Sequence, residues 1–362
     1  MKKLTYLTLF FGALTGSFSS PLTAWDDCCD PQSSFSCDWT PCDGKFTIGA
    51  DWLYWKLDVD NEKFATKTTA IFPVIAAINV PRAIAQPTTS YNKTIDPSFN
   101  WDNGVRAYLS YELPGNQWEV GAIFTLINST ANTKLVTAAL ATPPVTEFTP
   151  TEFITTIFPT TSTTGQASSY EATNHYKFAF FDLDLARTIC CGNSFRLRPH
   201  IGFRAAWFEQ HYKSTFVLDT STALTTNVGF GRLPVKFRGY GLEGGLGAEW
   251  LLGCNISLIG QFGGSLLYSK FEAHKTSYEI DTPTGGSPTT VYTQTDHHHY
   301  NTGIPSFDYF VGLQYAYDMC DWTIRTQIGW EQHVFFNLKN QDALIMGNLA
   351  AQGLTLGLDI GF

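Results

Sequence analysis

Arg196, Arg198, His200 and Arg204 stand at even positions of one short stretch. Even positions of an extended chain share a face, so three guanidiniums and an imidazole form a row. Carboxylates and cations fall on the matching phase of other stretches: Asp102, Arg106, Glu112, Asp182, Asp184, Asp308, Arg325 and Glu331. Rows of opposite charge on facing walls can do one of two things. They can set up a transverse field that selects ions and small polar solutes, or they can neutralise one another and fill the space between the walls. A second cluster, Asp296-His297-His298-His299, offers imidazoles for a base or a chance metal contact. It lies between strands, where consecutive histidines are usually solvated. No Gly-x-Ser-x-Gly, His-Glu-x-x-His or phosphate-loop motif is present, so no catalytic residue and no cofactor is assigned.

The elements that carry these residues alternate in the period of two that belongs to β-strands. Phe46, Ile48, Ala50, Trp52 and Tyr54 share one face, with Thr47, Gly49 and Asp51 on the other. The same alternation covers 101–113 and the return from 118, 168–187 and the return from 195, 235–252 with 255–273, 302–317 with 322–337, and finally 353–362. The period loses phase near Gly239 and Lys270, where either a bulge or a misread register accounts for the change. Tight turns join the pairs at Pro114-Gly115-Asn116, Cys190-Cys191-Gly192-Asn193, Gly253-Cys254-Asn255 and Asp318-Met319-Cys320-Asp321. Long connections are expected at 58–99, 130–167, 214–234, 274–301 and 338–349. The fold class is therefore all-β: a transmembrane antiparallel barrel of about ten strands, with eight or twelve as the neighbouring counts. Several strands exceed the 9–11 residues that cross a bilayer, so the barrel should extend beyond it. The stretch 71–87 is oddly apolar for a loop and is read as a surface loop or a lumen constriction.

Composition agrees. Charged residues make up 15 % and aromatics 15 % of the 362, with 30 glycines, and mean hydropathy is −0.08. The apolar residues are thus dispersed among polar ones. A formal charge of −9 argues against nucleic acid as a partner. Lys2 and Lys3 precede an apolar run and then small residues to Ala24, so residues 1–24 read as an export signal. Its removal makes the charge more negative by two. No later apolar run reaches 18 residues, which leaves strands as the means of crossing a membrane. Residues 25–44 form a short cysteine-rich segment, and 45–362 the barrel.

Leu354, Leu356, Leu358, Ile360 and Phe362 place one apolar face at the very end of the chain. A last strand of this kind suits pairing with the first, which removes the exposed edge. Leu358, Ile360 and Phe362 resemble the terminal signature by which outer-membrane assembly machinery recognises barrels. The eight cysteines, Cys28, Cys29, Cys37, Cys42, Cys190, Cys191, Cys254 and Cys320, all fall at the end of the barrel that holds the termini and tight turns. An even number in an exported chain points to disulfides. Two adjacent Cys-Cys pairs depart from zinc spacing, so no metal is assigned.

Gly44-Lys45-Phe46-Thr47-Ile48-Gly49-Ala50-Asp51-Trp52-Leu53-Tyr54-Trp55 resembles the start of the Legionella-type major outer membrane protein family. So do Leu197-Arg198-Pro199-His200-Ile201-Gly202, the span from Glu249 to Gly253 and on through Gly264-Ser265-Leu266-Leu267-Tyr268, and Ile328-Gly329-Trp330-Glu331. The resemblance implies a pore-forming outer-membrane barrel, with members in Chlamydia-like bacteria. The clustered cysteines resemble those of chlamydial envelope proteins cross-linked by disulfides. Taken together, the expectation is a porin-like, non-enzymatic channel for ions and small polar solutes in the outer membrane. The charged rows would line its pore, and its partners would be lipid, the assembly machinery, and further copies or disulfide-linked envelope proteins. The alternatives are a plugged barrel acting as adhesin or structural surface protein, and an outer-membrane protease.

Overall fold

The computed structural model describes residues 44–60, 65–71, 89–114, 117–136, 150–156, 167–192, 194–218, 225–283, 286–319, 322–339 and 346–362. The export signal, the cysteine-rich segment before Gly44, Cys320 and residues 72–88 lie outside the described residues.

Ten long strands form the wall: β1 (Lys45–Val59), β4 (Trp101–Glu112), β5 (Trp118–Val136), β7 (Ala167–Arg187), β9 (Phe195–Leu218), β10 (Thr225–Gly253), β11 (Ile256–Pro283), β12 (Thr289–Met319), β13 (Trp322–Lys339) and β14 (Met346–Gly361). Each pairs antiparallel with the next in the ring β1-β4-β5-β7-β9-β10-β11-β12-β13-β14. The ring closes where β14 returns to β1, from Thr47↔Gly361 to Val59↔Leu349. The last residue completes the seam, with Phe46 N donating to Phe362 O at 2.9 Å and Phe362 N to Phe46 O at 2.8 Å. A two-residue strand, β8 (Ile189–Cys190), pairs with β9 beside a floor turn.

Three shorter strands depart from the expected loops. β2 (Ala65–Ile71) and β3 (Thr89–Ile95) lie within the expected 58–99 connection, and β6 (Pro150–Thr156) within 130–167. They form a flap, β3-β2-β6, that joins the wall at Ile154↔Ala167. The remaining connections shorten because the strands run on past the predicted ends: β11 continues to Pro283 and β12 begins at Thr289.

The tight turns share one end, the floor, with the β1–β14 terminus. Cys254 and Asn255 form a two-residue hairpin turn with φ of 51° and 61°, the doubly left-handed geometry whose twist matches that of the flanking strands.

No bulge occurs at Gly239 or Lys270; the β10–β11 ladder shifts register only between Leu251 and Gly253. What changes at those positions is which face is apolar. On β10 the outward residues from the floor are Leu252, Trp250, Ala248, Leu246, Gly244, Leu242 and Tyr240, followed by Arg238, Lys236 and Arg232. The inward residues run from Glu249 and Glu243 to Phe237, Val235 and Leu233, the last three 1–2 % exposed. The hydrophobic face therefore crosses from outside to inside while the pleat keeps its phase. Below the crossover the wall must meet lipid; above it the wall meets water and packs inward.

Aromatic rings mark both borders of the outer apolar band. Near the floor, Phe46 lies 4.4 Å from Tyr111 and 6.3 Å from Phe362, which is itself 5.8 Å from Trp322, centroid to centroid. Near the crossover, Trp52, Tyr54 and Trp101 stack in sequence, and Trp330 meets Trp101 edge to face. Such belts sit at membrane–water interfaces.

Replacing Phe362 with Ser removes two ring contacts at the seam. The expected outcome is less folded barrel in the outer membrane of an expressing cell; undiminished assembly would contradict this role for the terminus.

Candidate functional site

All twelve charged residues singled out in the sequence occupy inward positions of their strands, but they do not form one open row. Arg196, Arg198, His200, Glu112 and Arg325 stand on the floor side and are half-buried. There Arg198 reaches Glu119 at 3.1 Å and Arg196 reaches Glu249 at 3.9 Å, with the arginine side chains 32 % and 30 % exposed. Pairs this wet contribute little to stability. The His200 ring lies over Gly245, its Cε1 2.6 Å from where a Cβ would stand, so any larger residue there would displace it. Asp102 on β4 accepts from Ser129 Oγ on neighbouring β5 at 2.5 Å.

Arg204 belongs to a different layer. Its guanidinium donates to both Asp182 oxygens at 2.7 and 2.9 Å, meets Glu243 at 2.8 Å, and contacts Asp308. Asp182 is on neighbouring β7 and Glu243 on neighbouring β10, but Asp308 is on β12, three strands around the ring. Arg106 on β4 makes the mirror contact: 3.2 Å to Asp51 on β1, and 2.6 and 3.0 Å to Glu331 on β13, again three strands away. His333 joins the halves, Nδ1 to Asp308 at 2.6 Å and Nε2 to Glu331 at 2.8 Å. Thr355 donates to Glu331 at 2.8 Å and accepts from Trp55 Nε1 at 3.2 Å. A chain of hydrogen-bonded charges thus crosses the lumen from Asp51 to Glu243. Asp184, on β7 below Asp182, is 5 % exposed beside it.

Aromatic groups cap this layer on its rim side. Arg106 lies over Trp55 at 5.6 Å and Arg204 over Phe180 at 5.2 Å. The His333 ring is 5.0 Å from both Trp55 and Phe180. Phe178 on β7 meets Phe335 on β13 edge to face at 5.0 Å. Those strands are five apart in a ring of ten, so the two rings touch across the full lumen. Above them Phe208, Tyr212, Phe216, Phe237, Phe271 and Leu349 continue one buried cluster, with Tyr170 and Tyr212 joined hydroxyl to hydroxyl.

Sequence reading missed Asp51, Glu243 and His333 as members of the layer. His333 carries a usable signal, since it shares a strand face with Glu331 two positions away, and Asp51 a weaker one, since it shares a face with Thr47 four positions away. Glu243 lies among glycines at the crossover, where the pattern is hardest to follow.

The remaining chemistry is dispersed. His297 and His299 face outward while Asp296 and His298 face inward, so the Asp-His-His-His run does not converge. Among the described residues no group of three His, Cys, Asp or Glu is placed to hold a metal. Cys191 is an exposed free thiol at the floor, whereas Cys190 and Cys254 are not free. The other five cysteines lie outside the described residues.

A closed ring of antiparallel strands with an outward apolar band between aromatic belts defines an integral outer-membrane β-barrel. The chain matches the family described as the Legionella pneumophila major outer membrane protein precursor over residues 40–362, and it belongs to that family. It is a multi-pass protein of the bacterial outer membrane, with the floor turns on the periplasmic side. No curated relative matches. Among solved structures, outer membrane protease OmpT from Escherichia coli aligns at 10 % identity and a TM-score of 0.33, covering 87 % of this chain and 96 % of that one. The TodX monoaromatic hydrocarbon channel (a mutant) aligns at 9 % and 0.29, covering 89 % and 90 %. A Pseudomonas aeruginosa FadL homologue aligns at 7 % and 0.22, covering 88 % and 90 %. Likeness at this level does not bear on function.

Arg204→Ala would leave Asp182, Glu243 and Asp308 buried without their shared cation, which should cost about 3–5 kcal/mol. Denaturant unfolding of the folded barrel checks this. Lys134→Ala, which breaks an exposed pair with Glu171, should leave the midpoint unchanged. Equal effects of the two would contradict the distinction.

Proposed function

We propose that the protein works as a closed outer-membrane barrel: a structural surface protein of the envelope that presents its rim outward. The observation that carries this reading is the Phe178–Phe335 contact across the lumen, resting on the Arg106–Glu331–His333–Asp308–Arg204 chain. Magnitude supports closure. Burying one phenylalanine is worth about 1.5–3 kcal/mol. Phe178, Phe180, Phe208, Phe216, Phe237, Phe271 and Phe335 are all buried above or within the seal. Wetting them to open a path would cost on the order of 10–20 kcal/mol, far more than a thermally gated channel can spend.

The rim supports a contact role. The flap ends on β3, which among the described residues pairs on one side only and shows Tyr91 67 % exposed; an open strand edge can accept a partner's strand. The same reading assigns no catalytic role, because the histidine run splits between two faces. It takes as partners outer-membrane lipid, the assembly machinery, and further copies or envelope proteins joined through the periplasmic cysteines.

Porin-like diffusion of ions and small polar solutes is the second reading. What favours it is the half-exposed, charged floor-side lumen around Arg196, Arg198 and Arg325, a polar vestibule of the kind a channel needs.

Single-channel recording of the refolded chain in a planar bilayer separates the two. The closed reading predicts no steady current over the voltage range, with or without reductant. A sustained conductance from folded protein would overturn it and establish the porin-like reading.

A further inference from the structure

The outward face of β10 and β11 changes character over three rungs of one ladder. Leu242 stands opposite Leu266, Tyr240 opposite Tyr268, and then Arg238 opposite Lys270. Leu242 and Leu266 are 69 % and 65 % exposed and face lipid; the tyrosine pair lies at the upper border of the apolar band. Two like charges facing each other across a ladder destabilise the pair. Lys270 reaches Glu272 at 2.8 Å, but Arg238 has no ion pair among the described residues. Lys236 on β10 and Lys177 on β7 are exposed on the same outer surface and likewise make none. Glu209 and Glu272 are the acids beside them, so four cations outweigh two carboxylates on a chain whose overall charge is −9.

Position decides what kind of anion this patch suits. Arg238 and Lys270 lie one outward rung, about 7 Å, beyond the tyrosines. That is the height of a headgroup whose acyl chains lie against the apolar band. Below the leucines, Gly244 faces Gly264 and leaves a shallow furrow in the lipid-facing surface. A soluble anion would need the cations alone; a lipid uses the cations, the ring pair and the furrow together.

We propose that Arg238 and Lys270, flanked by Lys177 and Lys236, bind the phosphate-bearing headgroup of an outer-leaflet lipid, with Tyr240 and Tyr268 seating the start of its acyl chains.

The test titrates the full refolded barrel in neutral detergent with diphosphoryl lipid A, following binding by thermophoresis. The wild type should bind saturably, and more weakly as salt rises. The Arg238→Ala, Lys270→Ala pair should lose affinity by about tenfold or more, with an unchanged far-ultraviolet dichroism spectrum. Arg238→Gln alone, at an exposed position, gives the same readout if the pair fails to fold. Dephosphorylated lipid A should bind the wild type as poorly as intact lipid binds the double variant. Lys134→Ala, on another face of the barrel, should bind like the wild type. Affinity of the double variant equal to that of the wild type would overturn the proposal, as would equal binding of the dephosphorylated lipid. Competition by inorganic phosphate as effective as that by the lipid would overturn the assignment to a lipid.

Discussion

The closing of β14 onto β1 is the constraint on which everything else depends. Inside a bilayer an unpaired backbone amide or carbonyl costs several kcal/mol, so an open sheet is not a permitted structure there. The seam from Thr47↔Gly361 to Val59↔Leu349 leaves no edge in the wall and fixes the ring at ten strands. A ring that size is narrow enough for Arg106 and Arg204 to reach carboxylates three strands away. It is also narrow enough for Phe178 and Phe335 to meet from opposite sides. The sealed lumen is thus a consequence of ring size combined with side-chain length.

The wall then serves two solvents in succession. Over the membrane band its outer face is Leu, Phe, Trp and Tyr, and its inner face is charged. Beyond Tyr240 and Tyr268 the outer face becomes Lys, Arg and Glu, and the inner face Phe, Tyr and Leu. The ionic layer sits where the two regimes meet. Charge there is out of bulk water and cannot be left uncompensated, which accounts for the number of partners each guanidinium collects. A buried network of this kind adds little net stability compared with apolar packing. Its effect is to hold specific strands in fixed opposition beneath the aromatic core.

Much of this was legible in the residues. Strict alternation from Phe46 to Tyr54 and from Leu354 to Phe362 gave the first and last strands. Turn residues such as Gly253-Cys254-Asn255 located the floor. Every charged residue read as inward is inward. What stayed hidden has a physical cause in each case. The crossover at Gly239 and Lys270 mimics a loss of phase, because a period-of-two pattern reports which residues are apolar and not which side holds the lipid. The flap strands β2, β3 and β6 are short and threonine-rich, so hydrophobic periodicity does not announce them. The contacts of Arg204 with Asp308 and of Arg106 with Glu331 depend on ring closure, which local spacing does not encode. An open charged row and a closed charged layer look the same along the chain.

If direct contact between opposite walls shuts the lumen, a double-mutant cycle on Phe178 and Phe335 should detect it. Unfolding free energies of Phe178→Ala, Phe335→Ala and the double variant should be non-additive, with a coupling of about 0.5–1.5 kcal/mol for the aromatic pair. Additive losses would mean that the rings do not meet and that the lumen is open at the level of Phe178 and Phe335.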